Sequence, residues 1–249
     1  MHVLVTNDDG YFAAGIRTLA RVALEMGHSV IISAPLTEQS ATSHQLTLSR
    51  ALTAHPVFFE GAGAYAIDGS PVDCVRVARY LSDTPIDFCL SGINNGGNLG
   101  AGIYYSGTDA AAREAAMNYL PAVAVSIGLN ATEAMRETAA RKAVEMMEYL
   151  KNHPMPRMTF CNINVPSLPE SQIKGFRMST ICEGFYTDGY TKRTNPRTLP
   201  YFWIDEGGSI EEAEAGSDLY NFQNGYMTCT FVGGLMDHNA AYPAIPGIF

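Results

Sequence analysis

MHVLVTNDDG, residues 1–10, is the stretch whose reading decides the fold. The apolar run Val3, Leu4, Val5 stops at Asn7, Asp8, Asp9 and Gly10, and a helical pattern begins near Gly15. A short, continuous run rich in Val and Leu predicts a buried parallel strand over His2–Thr6. Ile16, Leu19, Ala20, Ala23 and Leu24 then recur at helical spacing, and Gly27 suits the helix C-terminus. The β-branched run His28–Ala34 ends at Pro35, so residues 1–34 predict a right-handed βαβ unit. In such a unit Asp8 and Asp9 stand at the C-terminal end of the first strand, the edge at which open parallel sheets bind ligands. Two adjacent carboxylates there repel each other unless a cation neutralises them. The stretch therefore predicts a divalent-metal site at the tip of strand one.

The same alternation continues downstream. Residues 35–45 form a polar, hydroxyl-rich loop that contains Ser40 and His44 and falls on the same sheet edge. Leu46–Ala54 and Val57–Ile67 predict extended segments in an antiparallel excursion. Ser70 as N-cap and Pro71 at the first helical position open a helix containing Val72, Val75 and Leu81. The strand Ile86–Ile93 runs into Asn94–Gly102, where four glycines and three asparagines within nine residues mark a loop built for close backbone approach. An alanine-rich helix over Asp109–Met117, a strand over Pro121–Ile127, a long helix opened by Asn130 and Glu133, and a strand over Met158–Val165 follow. This order predicts an α/β sheet with helices on both faces through residue 165. After Pro166, Ile173–Ile181 and Tyr226–Val232 read as strands. The polar stretch between them carries Phe185, Tyr186, Tyr190, Tyr201, Phe202 and Trp203 and shows no helical period. It predicts one or two projecting hairpins whose aromatic surface packs on another subunit. The tail His238–Phe249 predicts an extended arm.

Bulk properties narrow the function. Apolar residues make up 47% of the chain and charged ones 16%, enough for a large core; the 249 residues suit one large domain or one and a half, and nothing in the middle reads as a flexible linker. The net charge of −9 opposes nucleic-acid binding. An anionic small substrate then needs local help from a metal or backbone donors. The five cysteines are widely spaced without a CxxC pair, which predicts a reducing cytosol and no disulfide framework. Asp8 and Asp9 interrupt what a signal peptide would need to keep apolar, and no stretch is long enough to span a bilayer. The expectation is a cytoplasmic protein without a membrane partner.

Three loops converge on one edge. Asp8 and Asp9, Ser40 and Asn94 together offer two carboxylates, a hydroxyl and an amide oxygen, the all-oxygen set that Mg²⁺ or Mn²⁺ prefers. Ser106, Gly107 and Thr108 open the Asp109–Met117 helix, where free N–H groups, hydroxyls and the helix dipole suit an anion. A metal beside an anion pocket points to phosphoryl chemistry. Taken singly, each piece also reads as a turn, a cap or a solvated loop residue. Their shared position at strand ends favours a site. His44, nearby, reads as a loop hydrogen-bonder rather than a general base.

VTNDDGYFAAGIRTLA (5–20), DGSPVDCV (68–75), SGINNGGNLG (91–100), YSGT (105–108), NINVP (162–166), KRTNP (192–196) and GSD (216–218) together resemble the SurE survival-protein family over nearly the whole chain. The resemblance implies a Rossmann-like α/β core over residues 1–165, completed by residues 166–249 with a hairpin and a C-terminal arm exchanged between subunits of a homodimer or homotetramer. It implies a metal-dependent 5′-nucleotidase acting on nucleoside monophosphates. By position, the family's metal ligands fall on Asp8, Asp9, Ser40 and Asn94, holding one divalent cation per subunit. Its phosphate-binding groups fall on Asn98, Ser106, Gly107 and Thr108. Asp8 and Asp9 would carry catalysis, with a cation-activated water oriented by Asp9 and a phospho-aspartyl route as its rival. The chain departs from the family pattern at Ala41, where Gly is usual, at Gly100-Ala101-Gly102, where acidic residues are usual, and at Cys182-Glu183-Gly184, where basic ones are. A broad phosphatase or exopolyphosphatase, and a nucleotide-binding regulatory protein with little turnover, are the alternatives.

Overall fold

Short apolar runs make the central strands, and their order sets where a ligand can sit. In the computed structural model, which describes residues 1–184, 189–205 and 213–233, nine strands form one sheet. The chain runs β1 (His2–Thr6), α1 (Ala14–Glu25), β2 (Ser29–Pro35), β3 (Ala54–Pro56), β4 (Gly63–Ile67), α2 (Pro71–Leu81), β5 (Phe88–Asn95), α3 (Gly107–Met117), β6 (Ala122–Ile127), α4 (Glu133–Asn152), β7 (Thr159–Val165), β8 (Phe176–Met178), β9 (Tyr190–Thr194), β10 (Pro200–Ile204), α5 (Asp218–Gln223) and β11 (Met227–Gly233). The sheet order is β3-β4-β2-β1-β5-β6-β7-β11-β8. Strands β4 through β7 in that order are parallel, β11 is antiparallel to β7, and β3 is antiparallel to β4. The chain leaves β1 toward β2 and β4, then returns to the other side of β1 for β5, β6 and β7. The switch of direction falls between β1 and β5, where doubly wound sheets open a crevice.

Alternation in β1 sends Val3 and Val5 to one face and Leu4 to the other. Ile16, Leu19 and Ala23 of α1 and Ala140, Val144 and Met147 of α4 close over the first face. Val75 and Ala78 of α2 with Ala111, Ala112 and Ala115 of α3 close over the second. This is a Rossmann-like three-layer arrangement. Burying each large aliphatic side chain contributes roughly 1.5–3 kcal/mol, so the two clusters outweigh any single surface contact.

Several boundaries move. Ser70 caps α2 in a complete capping box with Asp73, as its sequence predicts. The long helix is capped two residues later than expected: Thr132 accepts from the Met135 N–H, and Asn130 instead takes φ 61° in the preceding turn. Glu133 is thereby freed to accept from Thr18 at 2.7 Å. The extended reading of 46–67 contracts to β3 and β4, because side-chain carboxylates satisfy the intervening backbone: Asp73 accepts the Thr47 N–H and Asp68 the Thr53 N–H. The strand predicted over Ile173–Ile181 shortens to β8. A short helix, α5, lies where none was expected, capped by Ser217. The projecting hairpin is present as β9 and β10, its turn held by Asn195 Oδ1, which accepts from Arg197 and Leu199 N–H. Phe185, Tyr186 and the arm His238–Phe249 lie outside the described residues.

Candidate metal and phosphate site

A cavity of about 670 Å³ opens at the switch point, and Asp8, Asp9, Ser40, Asn94, Asn98 and Ser106 all line it. They arrive on four separate pieces of chain. Asp8 and Asp9 follow β1, Ser40 lies on the loop after β2, and Asn94 and Asn98 lie at and beyond the tip of β5. Ser106 caps α3. The loop after β2 is tied to the strand tip by the Gln39 N–H, which donates to the Asp8 carbonyl at 2.7 Å.

Asp8 is 4% exposed. Burial pushes its carboxyl above the usual range, although the Thr108 hydroxyl and the backbone N–H groups of Asp8, Thr108 and Gly107 act to stabilise the anion. Gly107 makes this approach possible: a Cβ there would stand 2.7 Å from Asp8 Cβ and 2.9 Å from Oδ2. Asp9 is half-buried. Burial first, then the neighbouring Asp8 charge and that of Glu38, push its pKa to about 6, against a 3.4 Å bond from the Asn95 N–H. No lysine, arginine or histidine among the described residues ion-pairs with either carboxylate.

The other expected ligands are oriented as oxygen donors. Ser40 Oγ donates its proton to Glu38 Oε1 at 2.7 Å, leaving its lone pairs free. Asn94 Nδ2 donates to the Gly96 carbonyl at 2.8 Å, which leaves Oδ1 available to an ion. Among the described residues there is no cluster of three or more His, Cys, Asp or Glu that could hold a metal. Two desolvated carboxylates with a hydroxyl and an amide oxygen suit a hard, oxygen-preferring cation instead.

Gly107 and Thr108 do not line the cavity. Thr108 is fully buried and its hydroxyl is committed to Asp8, so its side chain supports a carboxylate rather than meeting an anion. Ser106 does line the cavity, and its Oγ accepts from the Asp109 N–H at 3.0 Å. His44 is outside the cavity and bonds Glu114 at 2.8 Å, the loop role expected of it. Burial alone would raise the Glu114 carboxyl, but bonds from His44 and Asn118 and the charges of His44 and Arg76 hold it below its ordinary value.

The wall also contains Glu38, Tyr105 and Arg136, which the sequence reading passed over. Arg136 is the one cationic side chain lining the cavity among the described residues, and it bonds Ala131 O and Glu133. The signal available for it was the position of the α4 N-terminus at the same sheet edge as Asp8. Ala41 lines the cavity with φ 56°, a left-handed conformation that costs a non-glycine residue about 1–2 kcal/mol. The departure from glycine at this position therefore carries strain.

Fold and crevice define a class: a Rossmann-like α/β protein with an oxygen-rich, acidic pocket at its switch point and a helix N-terminus behind it. The family model for the survival protein SurE matches residues 3–188. The 5′-nucleotidase SurE of Alkalilimnicola ehrlichii is 40% identical over 233 residues, 92% of this chain and 88% of that one. The 5′-nucleotidase SurE of Trichormus variabilis is 39% identical over 228 residues, 90% and 85% of the two chains. The crystal structure of the SurE protein from Aquifex aeolicus superposes with a TM-score of 0.83 at 30% identity, covering 98% of both chains. The chain belongs to the SurE family.

Proposed function

We propose that this chain is a divalent-metal-dependent 5′-nucleotidase that hydrolyses nucleoside 5′-monophosphates to nucleoside and phosphate. Its class, phosphoric monoester hydrolase, follows from its family and from relatives named 5′-nucleotidase. The observation that carries the finer reading is the gathering of Asp8, Asp9, Ser40 and Asn94 with Asn98 and Ser106 around one crevice.

Asp8, Asp9, Ser40 and Asn94 would hold one Mg²⁺ or Mn²⁺ per subunit. Bound there, the cation supplies charge neutralisation and Lewis-acid activation of the phosphoryl group. Ser106 Oγ and Asn98 Nδ2 donate to non-bridging phosphoryl oxygens and stabilise the charge that grows on them. Asp9 has one oxygen, Oδ2, bonded to the Asn95 N–H, and the other orients the attacking water. Thr108 and the first turn of α3 fix Asp8 so that it need not reorganise. The exposed β9–β10 hairpin fits assembly as a homodimer or homotetramer. Nucleic acid and membrane are not partners in this reading, and the cytoplasm is its place of action.

The test is phosphate release from AMP and GMP with and without EDTA, in wild type and in Asp8→Asn. Wild-type activity should vanish with chelator and return with Mn²⁺, and Asp8→Asn should lose at least about a hundredfold. Full activity in Asp8→Asn, or metal-independent release, would sink the metal site. Tight nucleotide binding with no release would point to a binding protein instead.

A further inference from the structure

Strand β7 carries two asparagines, which stand opposite Ala124 and Ser126 of the neighbouring parallel strand β6. Asn162 and Asn164 lie two residues apart, hence on one face, and each is 1% exposed. A buried amide group without a partner costs about 1–3 kcal/mol, so both must be satisfied. They are satisfied largely on a single residue. Asn164 Oδ1 accepts the Asn98 N–H at 2.8 Å. Asn162 Nδ2 and Asn164 Nδ2 both donate to the Asn98 carbonyl, at 2.9 and 3.0 Å. Asn164 Nδ2 also reaches Asn162 Oδ1 at 3.4 Å, bracing the pair. From β6, the buried Ser126 Oγ accepts from Asn98 Nδ2 at 2.9 Å.

Both main-chain groups and the side-chain amide of one loop residue are thus held by side chains of two adjacent strands. In the sheet itself main chain holds main chain. Here the loop after β5 has left the sheet, and side chains take over. With one Nδ2 hydrogen given to Ser126, the second hydrogen and Oδ1 of Asn98 remain at the cavity wall.

We propose that Ser126, Asn162 and Asn164 are positioning residues for phosphate recognition: they hold Asn98 in one conformation so that its remaining amide hydrogen is presented to a phosphoryl oxygen. The proposal rests on the reading of Asn98 as a phosphate-binding group. A donor fixed beforehand loses no conformational freedom when the anion arrives, so its hydrogen bond contributes more to binding. Nothing in the reaction requires the three to touch substrate.

The experiment compares wild type, Ser126→Ala, Asn98→Ala and the double variant, with saturating Mn²⁺. The readouts are inorganic-phosphate affinity by calorimetry, KM and kcat on AMP, and Tm. Ser126→Ala deletes a single oxygen and leaves the main-chain clamp intact. It should weaken phosphate binding and raise KM about three- to tenfold, with kcat lowered less and Tm and Mn²⁺ affinity unchanged. In the Asn98→Ala background the same change should have no further effect. Asn162→Ala, which leaves Asn164 bonded to both main-chain groups of Asn98, should weaken phosphate binding in the same direction. The proposal is overturned if Ser126→Ala binds phosphate like wild type, or if its loss persists at full size without Asn98. If Asn98→Ala itself binds phosphate normally, the phosphate role of Asn98 fails and takes this proposal with it. The nucleotidase reading is judged separately by Asp8→Asn.

Discussion

Gly107 shows how much of the site depends on an absent atom. The start of α3 packs against Asp8 so closely that a methyl group has nowhere to go: the obstructing atoms are the Cβ and Oδ2 of Asp8, and Pro71 Cγ lies 3.1 Å away on another side. Gly107→Ala must therefore displace the carboxylate or the helix start. Overpacking of this kind costs about 1–3 kcal/mol. The expected outcome is a Tm a few degrees lower and a Mn²⁺ affinity at least about tenfold weaker, read by calorimetry. Wild-type Mn²⁺ affinity in Gly107→Ala would show that the tight packing on Asp8 has no bearing on the ion. At this scale the sequence was legible in part. Asp8, Asp9 and Asn94 stand out because polar residues end apolar strands. The role of Thr108 was not legible, because a hydroxyl at a helix start serves equally as cap, anion donor or support, and only the third dimension shows Asp8 beside it. Asn162 and Asn164 read as part of a recurring motif, and nothing local says that their partner is 64 and 66 residues away.

At the scale of elements, β1, β2, β5, β6, β7 and α1 to α3 follow from apolar runs, caps and glycine stops, and these agree with the structure to within a residue or two. The misses have separate causes. α5 spans six residues, too few for a 3.6-residue period to be visible. The N-cap of α4 was displaced because Asn130 and Thr132 are both acceptable caps, and the turn geometry at Asn130 decides between them. The β9–β10 hairpin was legible from turn signals and aromatics. Its residues are exposed throughout, including Tyr190, Phe202, Trp203 and Ile204. A two-stranded ribbon with that surface is marginal alone. Replacing residues 190–204 with a short Gly-Ser turn should lower the oligomeric mass measured by light scattering, while far-ultraviolet circular dichroism still reports the α/β core. An unchanged mass would remove the hairpin from the assembly.

The whole molecule carries a net charge of −9 and concentrates part of it at one crevice. Both Asp8 and Asp9 have folded-state pKa values above their ordinary value of 3.8, Asp9 at about 6. A raised carboxyl favours the folded state most at low pH. Its contribution is fully present below the unfolded value and is lost as pH rises through the folded one. Metal-free protein should therefore lose stability between about pH 4 and 6, as far as this pair is concerned. A cation held as proposed would replace the missing protons, and ligand at a hundred times its Kd stabilises by about 2.7 kcal/mol. The Tm gain from Mn²⁺ over EDTA should thus be larger at pH 7.5 than at pH 5, and binding at pH 5 should release protons. An equal gain at both values would exclude the two carboxylates as the ion's ligands. The architecture at this scale was the most legible of all, since strand–helix alternation and right-handed crossovers leave few topologies.

The donors at the start of α3 have a second consequence, one of sequence in time. They face Asp8, so the end of the helix best suited to an anion is already answered by the protein's own carboxylate. A phosphate entering an ion-free pocket meets negative charge on arrival. If the pocket works as a metal-dependent nucleotidase, loading should be ordered, cation before nucleotide, and phosphate mimics should look inert toward chelator-treated protein however well they fit the loaded one.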